Sequence, residues 1–282
     1  MRFIFTLISL LITGLSSQTA HATESEKFVV YYSDKAPARS FNNYQLLVLD
    51  SRYHPPLSEL SEGGSKTLLG YISLGEVEKT TAHFDTVKKN GLLFEENKNW
   101  KGSYGIDIRS PIWHKLVVEN LVPGILRDGF DGIFIDTLDG PLELERANPS
   151  KYRGMAEATS QLIQAIRMHY PSIKIMVNRA YSALPLIAPY IDMELGESVF
   201  HTYNFDKKTY HPVSENDYIT QVRWLQDAKT KNPKLKIYTL DYADKNDAPK
   251  IAEIYKTQRA NGFIPYVTTI SLTDIVEEGS VN

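Results

Sequence analysis

The sequence predicts an α/β fold, a (β/α)8 TIM barrel that residues 23–282 form as a single domain. Three observations predict it: short apolar runs recur eight times, helix-like stretches separate most of them, and together they cover about 250 residues. Near-continuous apolar runs are typical of parallel strands that are covered on both faces. An open doubly wound sheet is the alternative, although no glycine-rich phosphate loop follows the first run.

Eight strands are predicted in order along the chain. The runs are FVVYYS from Phe28, QLLVLD to Asp50, TLLGYISLGE to Glu76, GIFID to Asp136, IKIMVN to Asn178, YIDMELGE to Glu197, KIYTLD to Asp241 and GFIPYV to Val267. Because the strands of such a barrel all point the same way, their C-terminal ends form one rim, where active sites lie.

Helix signals lie between the strands. Ser110-Pro111 is predicted to cap and begin a helix that Pro123-Gly124 should kink or split. An apolar stripe at helical spacing extends from Met155 to Ile166. Ser214 and Asp217 make a start that resembles a capping box for a later helix.

The longest segment between a predicted strand and the next helix is 77–109. It contains Trp100, and its motif YGIDI, which begins at Tyr104, predicts a short extra strand. Loops at this end of a barrel build the rim of the active site, so we expect this segment to border the cleft.

Residues 1–22, MRFIFTLISLLITGLSSQTAHA, have the anatomy of a cleavable secretory signal. Arg2 makes the start basic, the apolar run from Phe3 to Leu15 is too short to span a bilayer comfortably, and the segment has a small-x-small ending at Ala20-His21-Ala22. An uncleaved anchor is the alternative. We therefore expect an exported protein, periplasmic or extracellular, with no membrane span once the signal is removed.

The composition narrows the classes of function. The chain has a net charge of −3 and no cysteine, which rules out thiol catalysis, disulfides and cysteine metal sites. A mildly acidic exported chain is a poor candidate for binding nucleic acid. Its seven histidines are scattered, which argues against a metal-dependent deacetylase. We expect a monomer that needs no cofactor and no metal.

Acidic residues follow most of the predicted strand ends. Any one of them could cap the helix that follows or interact with the positive N-terminal end of its dipole. Asp136 and Glu197 differ because each ends an apolar run, and a buried acid is costly unless it is paired, hydrogen-bonded or used. Two carboxylates that face one cleft are typical of glycoside hydrolysis, in which one is the acid/base and the other the nucleophile or the base for water.

Five segments resemble the endo-α-1,4-polygalactosaminidase-like glycosidases, and the hydrolase domain of the Pel exopolysaccharide proteins in particular. They are YISLGEVE, GIDIRSPIW, GFDGIFIDTLD, MVNRAY and GESVF, in that order, and FDGIFIDTLD and ESVF are the most specific. The resemblance implies a metal-free endo-hydrolase of α-1,4-linked galactosamine and N-acetylgalactosamine exopolysaccharide. It implies Asp136 and Glu197 as the catalytic pair, and retaining α-glycosidases on the same barrel suggest Asp136 as nucleophile and Glu197 as acid/base.

Further residues near the strand ends are expected to bind the substrate. Free galactosamine is cationic near neutral pH, so an acid-lined rim would attract it. Tyrosine rings could stack on the sugar, and a strand-end amide or guanidinium could orient a carboxylate or a hydroxyl, with a structural salt bridge as the alternative for the latter. The expected set is Tyr71, Glu76, Asp139, Asn178, Arg179, Tyr181, Glu194 and Asp241, with Glu194 also the alternative to Glu197.

Two other functions remain open on the sequence. A non-catalytic exopolysaccharide-binding barrel would keep the aromatic rim without needing both acids. A barrel hydrolase that acts on another glycan is the second alternative, because the residues that select the sugar lie on loops. Some Pel proteins carry a deacetylase domain after the hydrolase, and since this sequence shows none, we expect it to cut a polymer without deacetylating it.

Overall fold

Eight parallel strands form the centre of the computed structural model, which describes residues 26–62, 64 and 66–278. They are β1 (Phe28–Tyr31), β2 (Leu46–Leu49), β3 (Thr67–Ser73), β4 (Gly132–Asp136), β5 (Lys174–Asn178), β6 (Met193–Glu197), β7 (Lys236–Tyr242) and β8 (Ile264–Thr268). Each pairs in parallel with the next. The first strand returns beside the last, where the rings of Phe28 and Tyr266 meet edge to face with centroids 5.7 Å apart. The predicted (β/α)8 barrel is confirmed.

The strands are almost continuously buried, as their apolar sequences predict. Every position of β1 and β2 is buried, because the barrel interior covers one face of the sheet and the outer layer of helices covers the other. All eight predicted strands are present. The third ends at Ser73, three residues before Glu76, because the chain turns at Gly75, where a Cβ atom would lie only 2.0 Å from the carbonyl oxygen of Thr137.

The described residues also form ten α-helices. They are α1 (Leu57–Leu60), α2 (Phe84–Lys89), α3 (Pro111–Leu116), α4 (Val122–Arg127), α5 (Asp139–Ala147), α6 (Pro149–Tyr152), α7 (Met155–His169), α8 (Leu184–Ile187), α9 (Glu215–Lys231) and α10 (Ala248–Ala260). The chain also forms 3-10 segments at Ala38–Phe41 and Ala188–Tyr190.

The helix signals of the sequence are confirmed. The expected interruption at Pro123 takes the form of a π-helical segment, Val117–Leu121, which joins α3 to α4 just before the proline. The apolar stripe of α7 is buried from Met155 to Ile166. Ser214 caps α9, since its hydroxyl accepts from the backbone N–H of Asp217 at 3.2 Å.

Two small antiparallel sheets lie at the rim, beyond the C-terminal ends of the strands. The 77–109 segment and Glu76 build one from the strands Glu76–Glu78, Leu93–Glu96 and Ser103–Ile106, and the last of these is the predicted extra strand. The second is a hairpin that follows β6, formed by His201–Asn204 and Thr209–Pro212.

The predicted signal peptide, residues 1–22, lies outside the described residues. Within the part of the chain that the structure describes, no helix has the length and apolar character that crossing a bilayer requires.

Candidate active site

Three strand-end side chains meet at the mouth of the barrel. Asp136 ends β4, Asn178 ends β5 and Glu197 ends β6, so the amide lies between the two acids. The side-chain nitrogen of Asn178 donates to Asp136 Oδ1 at 2.9 Å and to Glu197 Oε2 at 2.6 Å. The two oxygens that share this nitrogen are at most about 5.5 Å apart, the combined length of the two hydrogen bonds. The structure thus brings the two predicted acids into one site.

The backbone turns sharply after each of these three residues. Thr137, Arg179 and Ser198 all have positive φ, at 67°, 59° and 54°. Left-handed conformations of residues other than glycine cost about 1–3 kcal/mol each and persist only where surrounding contacts hold them. Such strain concentrates where side chains must be aimed, and here it aims three strand-end side chains at one point.

The hydroxyl of Thr137 supplies part of the holding contacts. It accepts from the backbone N–H of Gly75 at 2.9 Å, lies 2.8 Å from Ser73 Oγ and donates to the carbonyl of Asp136 at 2.6 Å. These contacts tie the end of β4 to the end of β3. The position of the Asp136 backbone is therefore fixed from two strands.

Tyrosine hydroxyls surround the pair. Tyr242, the last residue of β7, donates to Glu197 Oε1 at 2.6 Å. Tyr32 and Tyr71 pack edge to face with ring centroids 5.2 Å apart. Burial raises the pKa of both phenols, and the negative charge of Asp136 raises the pKa of each further. Burial likewise raises the pKa of Tyr242, so all three hydroxyls stay protonated.

The environment of Asp136 favours its neutral form. Burial, and then the neighbouring charge of Glu197, raise the pKa of Asp136 from 3.8 to about 6, although the hydrogen bond from Asn178 acts in the opposite direction. Two carboxyl groups this close together, of which Asp136 has a raised pKa, form an arrangement that acid/base catalysis uses.

The whole-chain comparison identifies the family. Residues 14–281 match the model of glycoside-hydrolase family GH114. The chain belongs to this family. It is therefore a glycoside hydrolase, and the resemblance seen in its motifs is confirmed.

Solved structures resemble the fold of this GH114 chain. The glycoside hydrolase domain of PelA from Pseudomonas aeruginosa superposes with a TM-score of 0.77 at 18% identity, over 89% of this chain and 98% of that one. Ega3 of Aspergillus fumigatus, in complex with galactosamine, has a TM-score of 0.65 at 12% identity, over 89% and 94%. An uncharacterized protein of Methanocaldococcus jannaschii is 29% identical over 109 residues, which are 35% of this chain and 31% of that protein.

Two of the predicted substrate-binding residues form an ion pair beside the two strand-end acids of the GH114 chain. Arg179 Nε lies 3.6 Å from Asp139 Oδ2, and both side chains are partly exposed. The Tyr181 hydroxyl donates to Gln221 Oε1 at 2.9 Å, and its ring packs against Trp224 with centroids 5.1 Å apart. Tyr181 is therefore anchored to helix α9 at the edge of the site.

The structure does not bring Glu194 to the cleft. Side chains alternate between the two faces of a strand, and Glu194 lies three residues before the inward-facing Glu197. Gly196, on the same face as Glu194, packs toward Leu225 of α9. Glu194 is 0% exposed, and its oxygens have no hydrogen-bond partner among the described residues. Burial raises the pKa of Glu194 well above 4.5, so this carboxyl is a neutral group of the outer layer.

Asp241 is also turned away from the substrate. It precedes Tyr242, which faces the pair, so alternation directs Asp241 outward. It is 0% exposed and accepts from the backbone N–H groups of Phe200 and His201 at 2.7 and 2.9 Å, and from Gln258 of α10 at 2.6 Å. Asp241 therefore holds the segment that follows Glu197.

Glu76 serves the rim sheet. Its Oε1 accepts from Asn97 at 2.8 Å and its Oε2 from Ser103 at 2.6 Å, so both oxygens are engaged within the sheet. Glu76 belongs to the rim sheet because the chain turns at Gly75, after the end of β3 at Ser73.

Thr137 is the functional residue that sequence reasoning missed. A β-branched residue directly after a strand-end acid, in the motif FIDTLD, was the available signal.

Among residues 26–62, 64 and 66–278, no three His, Asp or Glu side chains are grouped so as to hold a metal ion.

Proposed function

We propose that this protein is an exported endo-acting hydrolase of α-1,4-linked galactosamine and N-acetylgalactosamine polysaccharide, with Asp136 and Glu197 as its catalytic pair. The observation that carries the proposal is the amide of Asn178, which holds both carboxylates at the barrel mouth. The substrate class is supported by the PelA hydrolase domain and by Ega3, whose structure contains galactosamine. The predicted signal peptide supports export to the periplasm or the medium.

The facing oxygens of the pair lie at most about 5.5 Å apart, which supports a retaining mechanism. Retaining glycosidases separate their two carboxyl groups by about 5–5.5 Å, whereas inverting enzymes leave about 6.5–9.5 Å for a water molecule. In the retaining sequence Asp136 attacks the anomeric carbon, and Glu197 protonates the departing glycosidic oxygen. Glu197 then removes a proton from the water that releases the sugar from Asp136. The roles follow retaining α-glycosidases on the same barrel.

The surrounding groups orient this chemistry. Asn178 holds the facing oxygens of the pair, and Tyr242 holds the other oxygen of Glu197. The hydrogen bond from Tyr242 orients the carboxyl group of Glu197 for both steps. The negative charge of the pair favours a cationic amino sugar at the site of cleavage.

The decisive experiment compares the wild type with Glu197→Gln on partly de-N-acetylated α-1,4-linked galactosamine polymer. Release of reducing ends and of short oligosaccharides by the wild type alone is the expected result. Binding of the polymer by both proteins without cleavage would instead favour the non-catalytic barrel. Cleavage of a different glycan, with no activity on this polymer, would overturn the substrate assignment.

A second experiment tests the roles within the pair. If Asp136 is the nucleophile, azide should restore activity to Asp136→Gly and yield a glycosyl azide of inverted configuration. Azide should instead give the retained configuration with Glu197→Ala, because the nucleophile is intact there. The opposite assignment of products would exchange the two roles.

A further inference from the structure

Two insertions of the rim touch each other above the strand ends. We call them the Trp100 arm, the rim sheet after β3, and the Phe205 arm, the hairpin after β6. Trp100 lies on the loop between two strands of the rim sheet after β3, and Phe205 lies at the turn of the hairpin after β6. Their rings meet edge to face with centroids 5.5 Å apart. They are nevertheless 54% and 39% exposed. Strands β4 and β5, which end in Asp136 and Asn178, lie between the strands from which the two arms start.

The Trp100 arm is rigidly built. Asn97, which donates to Glu76, also accepts from the backbone N–H groups of Asn99 and Trp100 at 2.9 and 3.2 Å. Glu96 accepts from the N–H of Gly102 at 2.6 Å, on the other side of the loop. The exposure of the indole is therefore imposed by the loop that carries it.

The Phe205 arm is held in the same manner. Asp241 binds the base of the arm through the backbone N–H groups of Phe200 and His201. Near its tip, the ring of Tyr203 supports Phe205 with centroids 5.3 Å apart. Two buried or engaged acids, Glu76 and Asp241, thus hold two exposed aromatic rings in contact.

Lysines outnumber acids around the two rings, whereas the barrel mouth presents acids. Residues 95–103 and 204–209 contain four exposed lysines, Lys98, Lys101, Lys207 and Lys208, and three exposed acids, Glu95, Glu96 and Asp206, of which Glu96 accepts from the backbone N–H of Gly102. The strand ends below present the carboxyl groups of Asp136 and Glu197. Charges of one sign within about 10 Å repel appreciably at 0.1 M salt, so an ammonium group is disfavoured beside the rings and favoured at the pair.

We propose that Trp100 and Phe205 form a distal subsite, the aromatic clasp, which binds an uncharged N-acetylated residue of the polymer. This inference rests on the proposed function. The apolar face of a pyranose and the acetyl methyl group pack on aromatic rings, and the lysines exclude the free amine. The enzyme therefore selects chains in which an N-acetylated residue lies at a set distance from the residue that is cleaved.

The test compares kcat/KM on two polymers, one partly N-acetylated and one fully de-N-acetylated. In Trp100→Ala and Phe205→Ala, the preference for the partly acetylated polymer should fall roughly fivefold, as expected for loss of an exposed aromatic contact. In the double variant Lys207→Glu/Lys208→Glu, the fully de-N-acetylated polymer should be cut faster. Met168→Ala, which removes an 80% exposed side chain from α7, is the control and should leave the preference unchanged.

Each variant is also combined with Glu197→Gln, and its affinity for the two polymers is compared. This measures the same preference as binding, without hydrolysis. A wild type that cuts neither polymer would overturn the proposed function, and binding would still test the clasp. Normal cleavage with an unchanged preference in all aromatic and lysine variants would overturn the clasp and leave the function standing. Circular dichroism and the melting temperature show whether each variant is folded.

Discussion

Glu194 makes the pH dependence of stability predictable. The carboxyl is fully buried and neither oxygen is hydrogen-bonded within the described residues, so the folded protein keeps it protonated. In the unfolded chain it ionises near its ordinary pKa of 4.5. Unfolding therefore releases a proton above this pH, and the free energy of unfolding falls by about 1.4 kcal/mol per pH unit until the pKa of the folded state is reached. The contribution is fully present below pH 4.5 and is lost as the pH rises.

Replacing Glu194 by Gln removes this dependence and preserves the shape of the side chain. At neutral pH the variant should be more stable than the wild type, by about 1.4 kcal/mol for each pH unit between 4.5 and the raised pKa of the folded state. For a domain of this size, each kcal/mol of gain corresponds to a rise in melting temperature of about 2–4 °C. At pH 4.5 the two proteins should have nearly equal stability.

The assay is urea unfolding followed by circular dichroism from pH 4.5 to pH 8. Glu59→Gln on α1 is the matched control, because this glutamate is exposed and its replacement should leave the pH dependence unchanged. Curves for the wild type and Glu194→Gln that run parallel over the whole pH range would refute the reasoning. They would mean that Glu194 is ionised in the folded protein.

Four further predictions concern the site. Asn178→Ala should lower kcat about 100-fold with little change in KM, because it frees both carboxylates; an equal rise in KM would point to a role in substrate binding. The kcat/KM of the wild type should rise with pH through a midpoint near 6, because Asp136, whose pKa is raised to about 6, must be ionised to act as the nucleophile. Tyr242→Phe should lower kcat, because it removes the hydroxyl that donates to Glu197 Oε1; an unchanged kcat would contradict the geometry. Thr137→Val should lower the free energy of unfolding in urea by about 1–2 kcal/mol and should also lower kcat. Thr137→Ser, which keeps the hydroxyl, should have the stability and the kcat of the wild type.

The eight strands and their C-terminal residues could be predicted because the signals are local. A buried parallel strand requires a short apolar run whatever its neighbours are, and in a barrel the residue that ends the run lies at the rim. The same signals place Asp136, Asn178 and Glu197 at the rim.

The faces of the strands could not be predicted from the same runs. A strand that is covered on both sides is apolar at every position, so its sequence lacks the alternation that separates inside from outside. Glu194 and Asp241 therefore looked equivalent to Glu197 in sequence, although they point into the helical layer. The turn at Gly75 likewise moved Glu76 out of the barrel and into the rim sheet.

The sequence by itself thus determined the fold class, the order of the strands, the family and the two acids, because each depends on residue types at local spacing. Only the tertiary structure decided which acids face one another, because this depends on contacts between residues far apart in the chain. The amide of Asn178 between two carboxylates is one such contact. The meeting of Trp100 with Phe205, more than a hundred residues later, is another.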